Sequence, residues 1–401
     1  MTEIKDIPKG WTIASLVNDL PYIKTGVPEY KGKKKYFSTG SIKSDSIIEE
    51  GEYSFSEKPS RANRLAIKGD VLQARMKATD KAILIDAKLD GQLFSTGFFQ
   101  IRPIEGKLSS NYILHYLTSI KFTQIKDELC SGSTQSALND EGAKKIFIPI
   151  PPFEEQQAIV AKIEELLSEL DNGITQLQKA QLQLKVYRQS LLKWAFVNTK
   201  FNDFVMKEVT EKIQIGPFGT QLHKEDYITN GIPLINPMHI QDGNIQPNFS
   251  YSITKQKRDS LPNYILQEGD VIMGRRGEMG RCGLVRKKEI GWFCGTGSLF
   301  FRPQSKRLNS LFLYYYLSSQ TVKKYLDENA GGTTMANLNL KIVNDIPISL
   351  PSLKEQQVIV DELESKLTVC DKIDETISQS LQQAETLRQS ILKKAFEGKL
   401  V

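Results

Sequence analysis

The fold is decided by the stretch Glu155-Gln-Gln-Ala-Ile-Val160, which recurs 200 residues later as Glu355-Gln-Gln-Val-Ile-Val360. Each copy opens a helical segment, and the two segments close on Arg188-Gln-Ser-Leu-Leu-Lys193 and Arg388-Gln-Ser-Ile-Leu-Lys393. Across the 42 positions from 155 to 196, sixteen residues are identical to their counterparts without a gap. Matches at one fixed offset indicate an internal duplication.

The duplication extends into the parts that precede these helical segments. Identical groups at the same offset include Gly69-Asp-Val71 with Gly269-Asp-Val271, Thr96-Gly97 with Thr296-Gly297, and Leu138-Asn139 with Leu338-Asn339. Before residue 60 the ungapped register is lost. The copies therefore share a scaffold and differ most at their beginnings. Two such units in one chain are expected to pack about a pseudo-two-fold axis.

Each copy ends in a predicted long helix that carries a heptad stripe. Prolines stand just ahead of both helices, and apolar residues then recur at alternating spacings of three and four, as in a coiled-coil seam. The residues predicted to serve helix pairing or partner docking are Ile163, Leu166, Leu170, Leu177, Leu184, Tyr187, Leu191, Leu363, Ile373, Ile377, Leu387 and Ile391. Because a lone helix cannot bury such a stripe, the two helices are predicted to pair as an antiparallel coiled coil.

The parts ahead of the helices are predicted to be α+β. Short apolar runs bounded by Gly, Pro, Asn and Asp, such as Phe98–Ile101 and Leu299–Phe301, indicate strands of a mostly antiparallel, irregular sheet. One amphipathic helix is predicted near 109–129 and its equivalent near 309–328. Two tandem globular α+β domains, each followed by a long helix, are thus predicted over the segments 1–152, 153–200, 201–352 and 353–401.

Composition and charge narrow the class of protein. The net charge of +6 and the pI near 8.8 permit a polyanionic partner without requiring one. The four cysteines lack the C-x2-C spacing of a zinc site and are predicted to be free thiols. The N-terminus lacks the basic-then-apolar run of a signal peptide, and no stretch approaches the length of a membrane span. The protein is therefore expected to be cytoplasmic.

Two fragments resemble motifs of adenine methyltransferases, but neither is complete. Phe293-Cys-Gly-Thr-Gly297 spells the F-x-G-x-G cofactor pattern, whereas the first copy reads Leu93-Phe-Ser-Thr-Gly97. Pro151-Pro-Phe153 resembles the end of the D/N-P-P-Y/F motif, but Ile150 stands where Asp or Asn should accept a proton from the base. Walker A, H-E-x-x-H and G-x-S-x-G motifs are also missing from the sequence. We therefore predict no catalytic residue and no metal site.

Basic residues interleaved with turn residues are the candidate DNA contacts. Arginine suits bidentate contact with guanine or phosphate, and loop hydroxyl and N–H groups suit phosphate oxygens or base edges. The candidates are Lys33, Lys34, Lys35, Arg61, Arg64, Arg75, Lys77, Lys81, Ser133, Thr134, Gln135, Lys255, Lys257, Arg258, Arg275, Arg276, Arg281, Thr333 and Thr334. Arg75 and Arg275 coincide at the 200-residue offset, which favours DNA contact for this pair. For any single lysine, an ordinary solvated surface position is the alternative.

The whole chain resembles the specificity subunit of Type I restriction–modification systems. The resemblance rests on Glu-Gln-Gln-x-Ile-Val behind a proline at the start of each helix and on Arg-Gln-Ser-(Leu/Ile)-Leu-Lys-x-Ala-Phe at its end, both in tandem. Ile7-Pro-Lys-Gly-Trp11 and Glu397-Gly-Lys-Leu-Val401 also look like the start and the end of that family.

This resemblance implies a non-catalytic subunit with two target recognition domains, each reading one half of a split, asymmetric site in double-stranded DNA. The paired helices would fix the gap between the half-sites and dock two modification subunits, which carry S-adenosylmethionine and methylate adenine. Restriction subunits, which translocate and cut DNA, would join this core. Such a chain would bind no cofactor itself, and ATP and Mg²⁺ would likewise belong to the partner subunits.

Two other functions are left open by the sequence. The first is an adenine methyltransferase that contains its own recognition domains, which would bind S-adenosylmethionine as the purified chain. The second is a coiled-coil scaffold with no nucleic-acid role, which would not retard DNA in a gel.

Overall fold

A computed structural model of the chain contains two compact units. It describes residues 7–43, 46–132, 136–197, 202–219, 221–241, 243–276, 279–330 and 337–401. Unit 1 comprises the described residues of 1–177 and 378–401, and unit 2 comprises those of 178–377. The division falls within both long helices, so each unit holds one globular part and one half of each helix.

Unit 1 contains the elements from the first strand to the first half of the long helix α4. Its strands are β1 (Thr12–Ser15), β2 (Tyr22–Ile23), β3 (Lys34–Phe37), β4 (Gly51–Tyr53), β5 (Ala62–Leu65), β6 (Val71–Ala74), β7 (Ala82–Leu84), β8 (Leu93–Ser95), β9 (Phe98–Ile101) and β10 (Phe147–Ile150). Its helices are α1 (Ser110–Leu117), α2 (Ile120–Leu129), α3 (Asp140–Ala143) and the start of α4 (Phe153–Val197).

These strands of unit 1 form two four-stranded sheets and a two-stranded ribbon. One sheet has the order β2-β9-β6-β7 and is antiparallel, whereas the other has the order β4-β3-β8-β5 and contains the parallel pair β3–β8. The ribbon pairs β1 with β10. In β6, Val71 faces one hydrophobic core and Leu72 faces a second. Because side chains alternate along a strand, this buried strand separates the two cores.

Unit 2 contains the corresponding elements of the second copy. Its strands are β11 (Asn202–Val205), β12 (Thr210–Ile215), β13 (Tyr227–Ile228), β14 (Ile232–Ile235), β15 (Ile240–Gln241), β16 (Asn244–Ile245), β17 (Ser252–Ile253), β18 (Val271–Gly274), β19 (Cys282–Leu284), β20 (Phe293–Cys294), β21 (Ser298–Pro303) and β22 (Pro347–Leu350). Its helices are α5 (Met206–Val209), α6 (Lys255–Asp259), α7 (Ser310–Leu317), α8 (Gln320–Asn329), α9 (Leu340–Asn344) and the start of α10 (Leu353–Phe396).

The sheets of unit 2 repeat one sheet of unit 1 and depart from the other. The order β12-β21-β18-β19 matches β2-β9-β6-β7, and Val271 lies opposite Phe301 as Val71 lies opposite Ile101. The second sheet has the order β13-β17-β14-β20, with a parallel pair between β14 and β20. Its strands β13, β14 and β17 lie where the sequence register between the copies is lost. The predicted α+β class with a mostly antiparallel sheet is confirmed.

The helix predicted near 109–129 is wrong as a single element, and so is its equivalent near 309–328. Helix α1 ends at Leu117 and α2 begins at Ile120, because Ser119 has extended backbone and its hydroxyl accepts a hydrogen bond from the Phe122 N–H. Ser319 caps α8 in the same way. A serine N-cap in each copy therefore begins a new helix where the apolar periodicity suggested one continuous helix.

The long helices pair antiparallel within each unit, as predicted. In unit 1, the start of α4 shares a core with the end of α10 through the buried residues Ile159, Val160, Ile163, Ile391, Leu392, Ala395 and Phe396. In unit 2 the end of α4 shares a core with the start of α10, and the buried residues of this core are Leu184, Leu191, Ala195, Leu363 and Cys370. Each unit thus buries half of each stripe against its partner.

Matched ion pairs accompany this pairing of the helices. In unit 2, Arg188 Nη2 lies 2.6 Å from Asp371 Oδ1. In unit 1, Arg388 forms the equivalent ion pair with Asp171. Both residues of the first pair are offset by 200 from those of the second, so the duplication preserves the contact as well as the residues.

Three residues predicted on the heptad stripe do not lie in the seam. Tyr187, Ile373 and Leu387 are 51%, 44% and 52% exposed. In unit 2 a polar contact also joins the two helices, from Gln181 Nε2 to Asp374 Oδ1 at 3.1 Å. Among the other stripe residues, Leu166, Leu170 and Leu177 are half-buried, and Ile163, Leu184, Leu191, Leu363, Ile377 and Ile391 are buried. In the described part of the chain, no helix has the length and apolar character to cross a membrane.

The Glu-Gln-Gln motif owes its role to one buried glutamine in each copy. Gln156 accepts a hydrogen bond from the Ser109 N–H at 2.8 Å and donates to the carbonyls of Lys107 and Pro151. Gln356 makes the same three contacts at the corresponding positions of the second copy. The side chain therefore joins the start of each long helix to the loop ahead of α1 or α7, and satisfies backbone groups that burial would otherwise leave unpaired.

Candidate nucleic-acid interface

A polar cleft of about 690 Å³ opens on unit 1 where its loops converge. Its lining includes Ser38, Thr39, Glu50, Ser60, Arg61, Arg75, Met76, Thr96 and Gly97. Backbone hydrogen bonds fix these loops to one another, from the Arg75 N–H to the Gly97 carbonyl at 2.9 Å and from the Thr96 N–H to the Arg61 carbonyl at 2.9 Å. The cleft therefore gathers Arg61, a sequence candidate, with hydroxyl groups from several segments.

Arg75 is half-buried at the cleft, and its guanidinium is engaged by partners inside unit 1. Its Nε donates to the Phe98 carbonyl and its Nη1 to the Leu138 carbonyl, both at 3.1 Å. Its Nη2 contacts Asp140 Oδ1 at 2.7 Å and the Tyr22 hydroxyl. The guanidinium thus makes hydrogen bonds to four internal partners, and these bonds join the sheet to the segment around α3.

Arg64 is also misassigned by the sequence, because its side chain is almost wholly buried. Its Nη1 donates to the Ile23 carbonyl at 2.8 Å. Burial lowers the pKa of the guanidinium, and the nearby positive charge of Arg75 lowers it further. A cation in this position packs within the sheet, so we remove it from the candidate DNA contacts.

The remaining basic candidates of unit 1 lie at the surface to different degrees. Lys33, Arg61 and Lys77 are exposed. Lys34 and Lys81 donate to the carbonyls of Gly91 and Thr39, and Lys35 forms an ion pair with Glu49. Lys33, Arg61 and Lys77 are therefore the candidates of this unit whose charge is best placed for an outside partner.

The loop between β6 and β7, which carries Lys77, is held by two residues that sequence reasoning missed. The fully buried Lys126 donates through Nζ to the carbonyls of Met76, at 2.8 Å, and Thr79. The Asp127 carboxylate accepts a hydrogen bond from the Ala78 N–H at 3.0 Å. Burial lowers the pKa of the Lys126 ammonium. The second copy has Leu326 at this offset, so the repeat comparison gave no signal for the clamp.

The equivalent region of unit 2 is built on the same backbone links. The Arg275 N–H donates to the Gly297 carbonyl at 3.0 Å, and the Leu338 N–H donates to the Arg275 carbonyl at 3.1 Å. The Gly297 N–H in turn donates to Asn236 Oδ1 at 3.2 Å. Segments near residues 236, 275, 297 and 337 therefore meet at one place.

Arg275 is buried, whereas Arg75 is half-buried, and the two arginines have different partners. Its Nε donates to Asn337 Oδ1 at 3.0 Å, and its guanidinium carbon lies 5.2 Å from the centroid of the Phe218 ring. Its Nη1 is buried with no hydrogen-bond partner in the described structure. Burial lowers the pKa of the Arg275 guanidinium, and the nearby positive charge of Arg276 lowers it further. Direct base contact by Arg275, as predicted from sequence, would need the overlying phenyl ring to move.

The other basic candidates of unit 2 lie on its surface with varied partners. Lys255 and Arg276 are exposed. Lys257 and Arg258 form ion pairs with Asp226 and Asp259, and Arg281 donates to the Ile240 carbonyl. The loop candidates Ser133, Thr134, Gln135, Thr333 and Thr334 lie outside the described residues. For these positions, and for the exposed cations, DNA contact stays a prediction.

The fragment Phe293–Gly297, which resembles a methyltransferase cofactor motif, is packed into the sheet of unit 2. Phe293 and Cys294 form the buried strand β20. Gly295 packs so closely on Gly216 that a Cβ on Gly216 would lie 1.9 Å from the Gly295 carbonyl oxygen. Over the residues that the structure describes, no group of three or more His, Cys, Asp or Glu side chains could hold a metal ion.

Comparison with known proteins gives matches along most of the chain. A family model described as Type I restriction modification DNA specificity domain matches residues 14–184 and 200–383. The Type I restriction enzyme EcoBI specificity subunit of Escherichia coli is 27% identical over 328 residues, which cover 75% of this chain and 68% of that protein. The putative MjaX specificity subunit of Methanocaldococcus jannaschii is 25% identical over 431 residues, covering 100% of this chain and 96% of that protein.

Two solved structures share the fold of the chain. A chain from a structure concerning assembly and conformational transition of the type I R-M system is 24% identical, with a TM-score of 0.80 and coverage of 98% and 99%. The crystal structure of the HsdS subunit from Thermoanaerobacter tengcongensis is 24% identical, with a TM-score of 0.62 and full coverage of both chains. At this identity the similarity establishes the architecture.

Proposed function

Because the chain belongs to the family of Type I restriction–modification DNA specificity domains, we propose that its two globular parts each read one half of a bipartite, asymmetric site in double-stranded DNA. The observation that carries the proposal is that each unit contains one sheet whose strand order is the same in both units and one sheet whose strand order differs between them. A common frame can hold two reading surfaces in equivalent positions, and different surfaces suit two half-sites of different sequence.

The cleft region of unit 1 and the Arg275–Gly297 region of unit 2 are the proposed reading surfaces. They occupy equivalent places on the repeated sheet, where Arg75 and Arg275 donate to Gly97 and Gly297. Lys33, Arg61 and Lys77 in unit 1 and Lys255 and Arg276 in unit 2 supply exposed positive charge. Cations of this kind position a protein on the phosphate backbone, and base edges then provide the sequence preference.

The outer faces of the long helices are the proposed docking surface for two modification subunits. Within unit 2, Leu182, Val186 and Tyr187 of α4 form an exposed apolar patch, and Leu387 occupies in α10 the position equivalent to Tyr187. Apolar side chains on an exposed helix face that are not used for pairing favour a partner protein. The helices would also set the distance between the half-sites.

We propose that the partner subunits carry out the catalytic steps. Modification subunits would bind S-adenosylmethionine and methylate adenine, and restriction subunits would use ATP and Mg²⁺. The chain itself would act by selection of DNA, without a catalytic residue or a cofactor. The burial of Phe293 and Cys294 in strand β20 supports this assignment.

The proposal is tested by assembling the chain with its modification subunits and selecting bound duplexes from a random DNA library. The expected result is enrichment of two short fixed sequences separated by an unspecified gap of constant length. Equal recovery of all duplexes contradicts sequence reading. Binding of S-adenosylmethionine by the purified chain alone contradicts the division of labour.

A further inference from the structure

An exposed phenylalanine stands on a glycine-flanked tip of unit 2. Residues Gly216, Pro217, Phe218 and Gly219 follow β12, and the Phe218 side chain is 56% exposed. Its ring lies over the guanidinium of Arg275, 5.2 Å from ring centroid to Cζ. One side of the ring therefore packs on a buried cation, and much of the remaining ring surface is open to solvent.

The backbone of this tip is fixed to the scaffold. The Gly216 N–H donates to the Ser298 carbonyl at 2.9 Å. A Cβ on Gly216 would lie 1.9 Å from the Gly295 carbonyl oxygen, so only glycine fits this approach. The exposed ring is thus presented from a closely packed segment, which limits the entropy lost when it contacts a partner.

A second exposed apolar side chain borders the same place. Met238 is 59% exposed and lies in the short turn Pro237–His239. The preceding Asn236 accepts the Gly297 N–H, and the Gly297 carbonyl accepts the Arg275 N–H. Phe218 and Met238 therefore rise from two segments that both border the junction of Arg275 and Gly297, and we call this pair the apolar tip pair.

Two neighbouring arginines, Arg275 and Arg276, lie at the junction that the apolar tip pair borders. Asp140 neutralises Arg75 in unit 1, but Leu340 stands at the equivalent position of unit 2. In the described residues Arg275 has no ion pair with a carboxylate, and the adjacent Arg276 is exposed. Apolar groups set beside positive charge complement a polyanion that also carries an apolar group.

The equivalent surface of unit 1 has a different chemistry. Its cleft is lined by the hydroxyl-bearing Ser38, Thr39, Ser60 and Thr96, by the charged Arg61 and Glu50, and by one exposed apolar side chain, Met76. Hydroxyl and guanidinium groups recognise base edges and phosphates by hydrogen bonds. The surface of unit 1 is therefore mostly hydrogen-bonding, whereas that of unit 2 sets two apolar side chains beside arginines.

We propose that the apolar tip pair, Phe218 and Met238, contacts the 5-methyl groups of thymine in the major groove of the half-site read by unit 2. This inference rests on the proposed function and names the base feature recognised. The thymine methyl is the apolar group that base pairs display in the major groove, so it is the natural partner for these side chains.

The test uses the chain assembled with its modification subunits and a duplex that carries the recognised site. Thymine in the half-site read by unit 2 is replaced with deoxyuridine, which removes the methyl group and keeps the Watson–Crick hydrogen bonds. For the wild-type complex we expect Kd to rise about four-fold for each contacted methyl group, the effect of one buried methyl. For Phe218→Ala or Met238→Ala, binding to the thymine duplex weakens and the deoxyuridine effect shrinks toward none.

Phe249→Ala is the matched control variant. Phe249 is 48% exposed, and its carbonyl accepts the Asn230 N–H just before β14 begins, whereas Met238 follows the end of that strand. The control should retain the full deoxyuridine effect. Deoxyuridine in the half-site read by unit 1 should act equally on the wild type and on all three variants.

The outcomes separate this inference from the proposed function. A wild-type complex that binds every duplex equally overturns both. A complex that selects its site but responds to deoxyuridine equally with and without Phe218 and Met238 overturns the inference alone. The inference is also overturned if both variants lose modification subunits from the assembly. It is likewise overturned if the only change in the variants is the loss of a fluorescence increase from 2-aminopurine placed in the duplex, because that signal reports base unstacking.

Discussion

At the scale of single residues, identical residues in the two copies have different surroundings. Arg75 and Arg275 coincide in the sequence and share their backbone links, but Arg75 is neutralised by Asp140 and Arg275 is covered by Phe218. The sequence located the junction in both copies but not the internal partners of the arginines, whose contact with DNA stays a prediction. Apart from Phe98, which is 23 residues from Arg75, their hydrogen-bond partners lie 53 to 65 residues away along the chain, a separation that local pattern does not encode.

Replacing Arg75 by alanine should lower stability. The change removes a largely buried guanidinium and leaves two carbonyl acceptors without partners, so we expect thermal unfolding to report a loss of about 2 kcal/mol. Arg276→Ala is the exposed counterpart and should change stability by less than about 0.5 kcal/mol while weakening DNA binding. A stable Arg75→Ala protein with relaxed sequence selectivity would restore Arg75 as a direct DNA contact.

Asp140 should contribute stability that is lost in acid. Burial alone would raise the pKa of its carboxyl, but hydrogen bonds from Tyr22 and Arg75 outweigh burial and the pKa is lowered. A carboxyl whose pKa is lower in the folded state stabilises the fold above its unfolded pKa, about 3.9, and loses this effect as pH falls through the folded value. Urea unfolding from pH 7 to pH 2.5 should therefore show Asp140→Asn less stable than the wild type, with a difference that begins to shrink below about pH 4 and is lost as pH falls through the lower folded-state pKa. A difference independent of pH contradicts the assignment.

At the scale of elements, the long helices could be predicted because their signals are local. Heptad spacing and the prolines ahead of each helix predicted their positions and their antiparallel pairing. The same periodicity wrongly joined α1 to α2, although Ser119 and Ser319 are N-cap residues that a search for capping signals could have found. It also placed Tyr187 and Leu387 in the seam, although both side chains are exposed.

Phe396 should be a principal anchor of α10 in unit 1. Its buried ring meets the rings of Tyr112 and Tyr116 edge-on, with centroids 5.4 and 5.0 Å apart. Truncation to alanine removes a buried aromatic side chain, and we expect a loss of about 3 to 4 kcal/mol in urea unfolding.

Leu387→Ala is the control for Phe396 on the same helix. Leu387 is exposed, so its removal should leave stability within about 0.5 kcal/mol while weakening capture of modification subunits in a pull-down assay. Equal destabilisation by both variants contradicts the described orientation of α10. Undiminished capture by Leu387→Ala contradicts the proposed docking face.

At the scale of the whole molecule, the duplication was the most informative feature of the sequence. It predicted two α+β parts on a shared frame, and the sheet containing β6 and the sheet containing β18 have the same strand order. The divergent sheets and the apolar tip pair could not be predicted, because the alignment between the copies fails where they lie. Phe218 has only one local signal, the flanking Gly-Pro and Gly residues of an exposed turn.

Exchange of residues 1–150 for the corresponding domain of another family member should alter half of the recognised site. The long helices remain those of this chain, so assembly with its modification subunits should persist at the wild-type stoichiometry. Size-exclusion chromatography checks assembly, and selection from a DNA library checks the site. A chimera that no longer captures modification subunits argues that the globular part, and not the helices, is the main docking platform.

The central claim is that this chain selects a bipartite DNA site for adenine methylation. Single-molecule sequencing of methylated adenines in the host, with and without the gene for this chain, tests it most directly. We expect one asymmetric motif of two fixed parts and a constant gap to be methylated when the gene is present and to lose methylation when it is removed. An unchanged methylation pattern, or loss of methylation at a single continuous motif, would contradict the account.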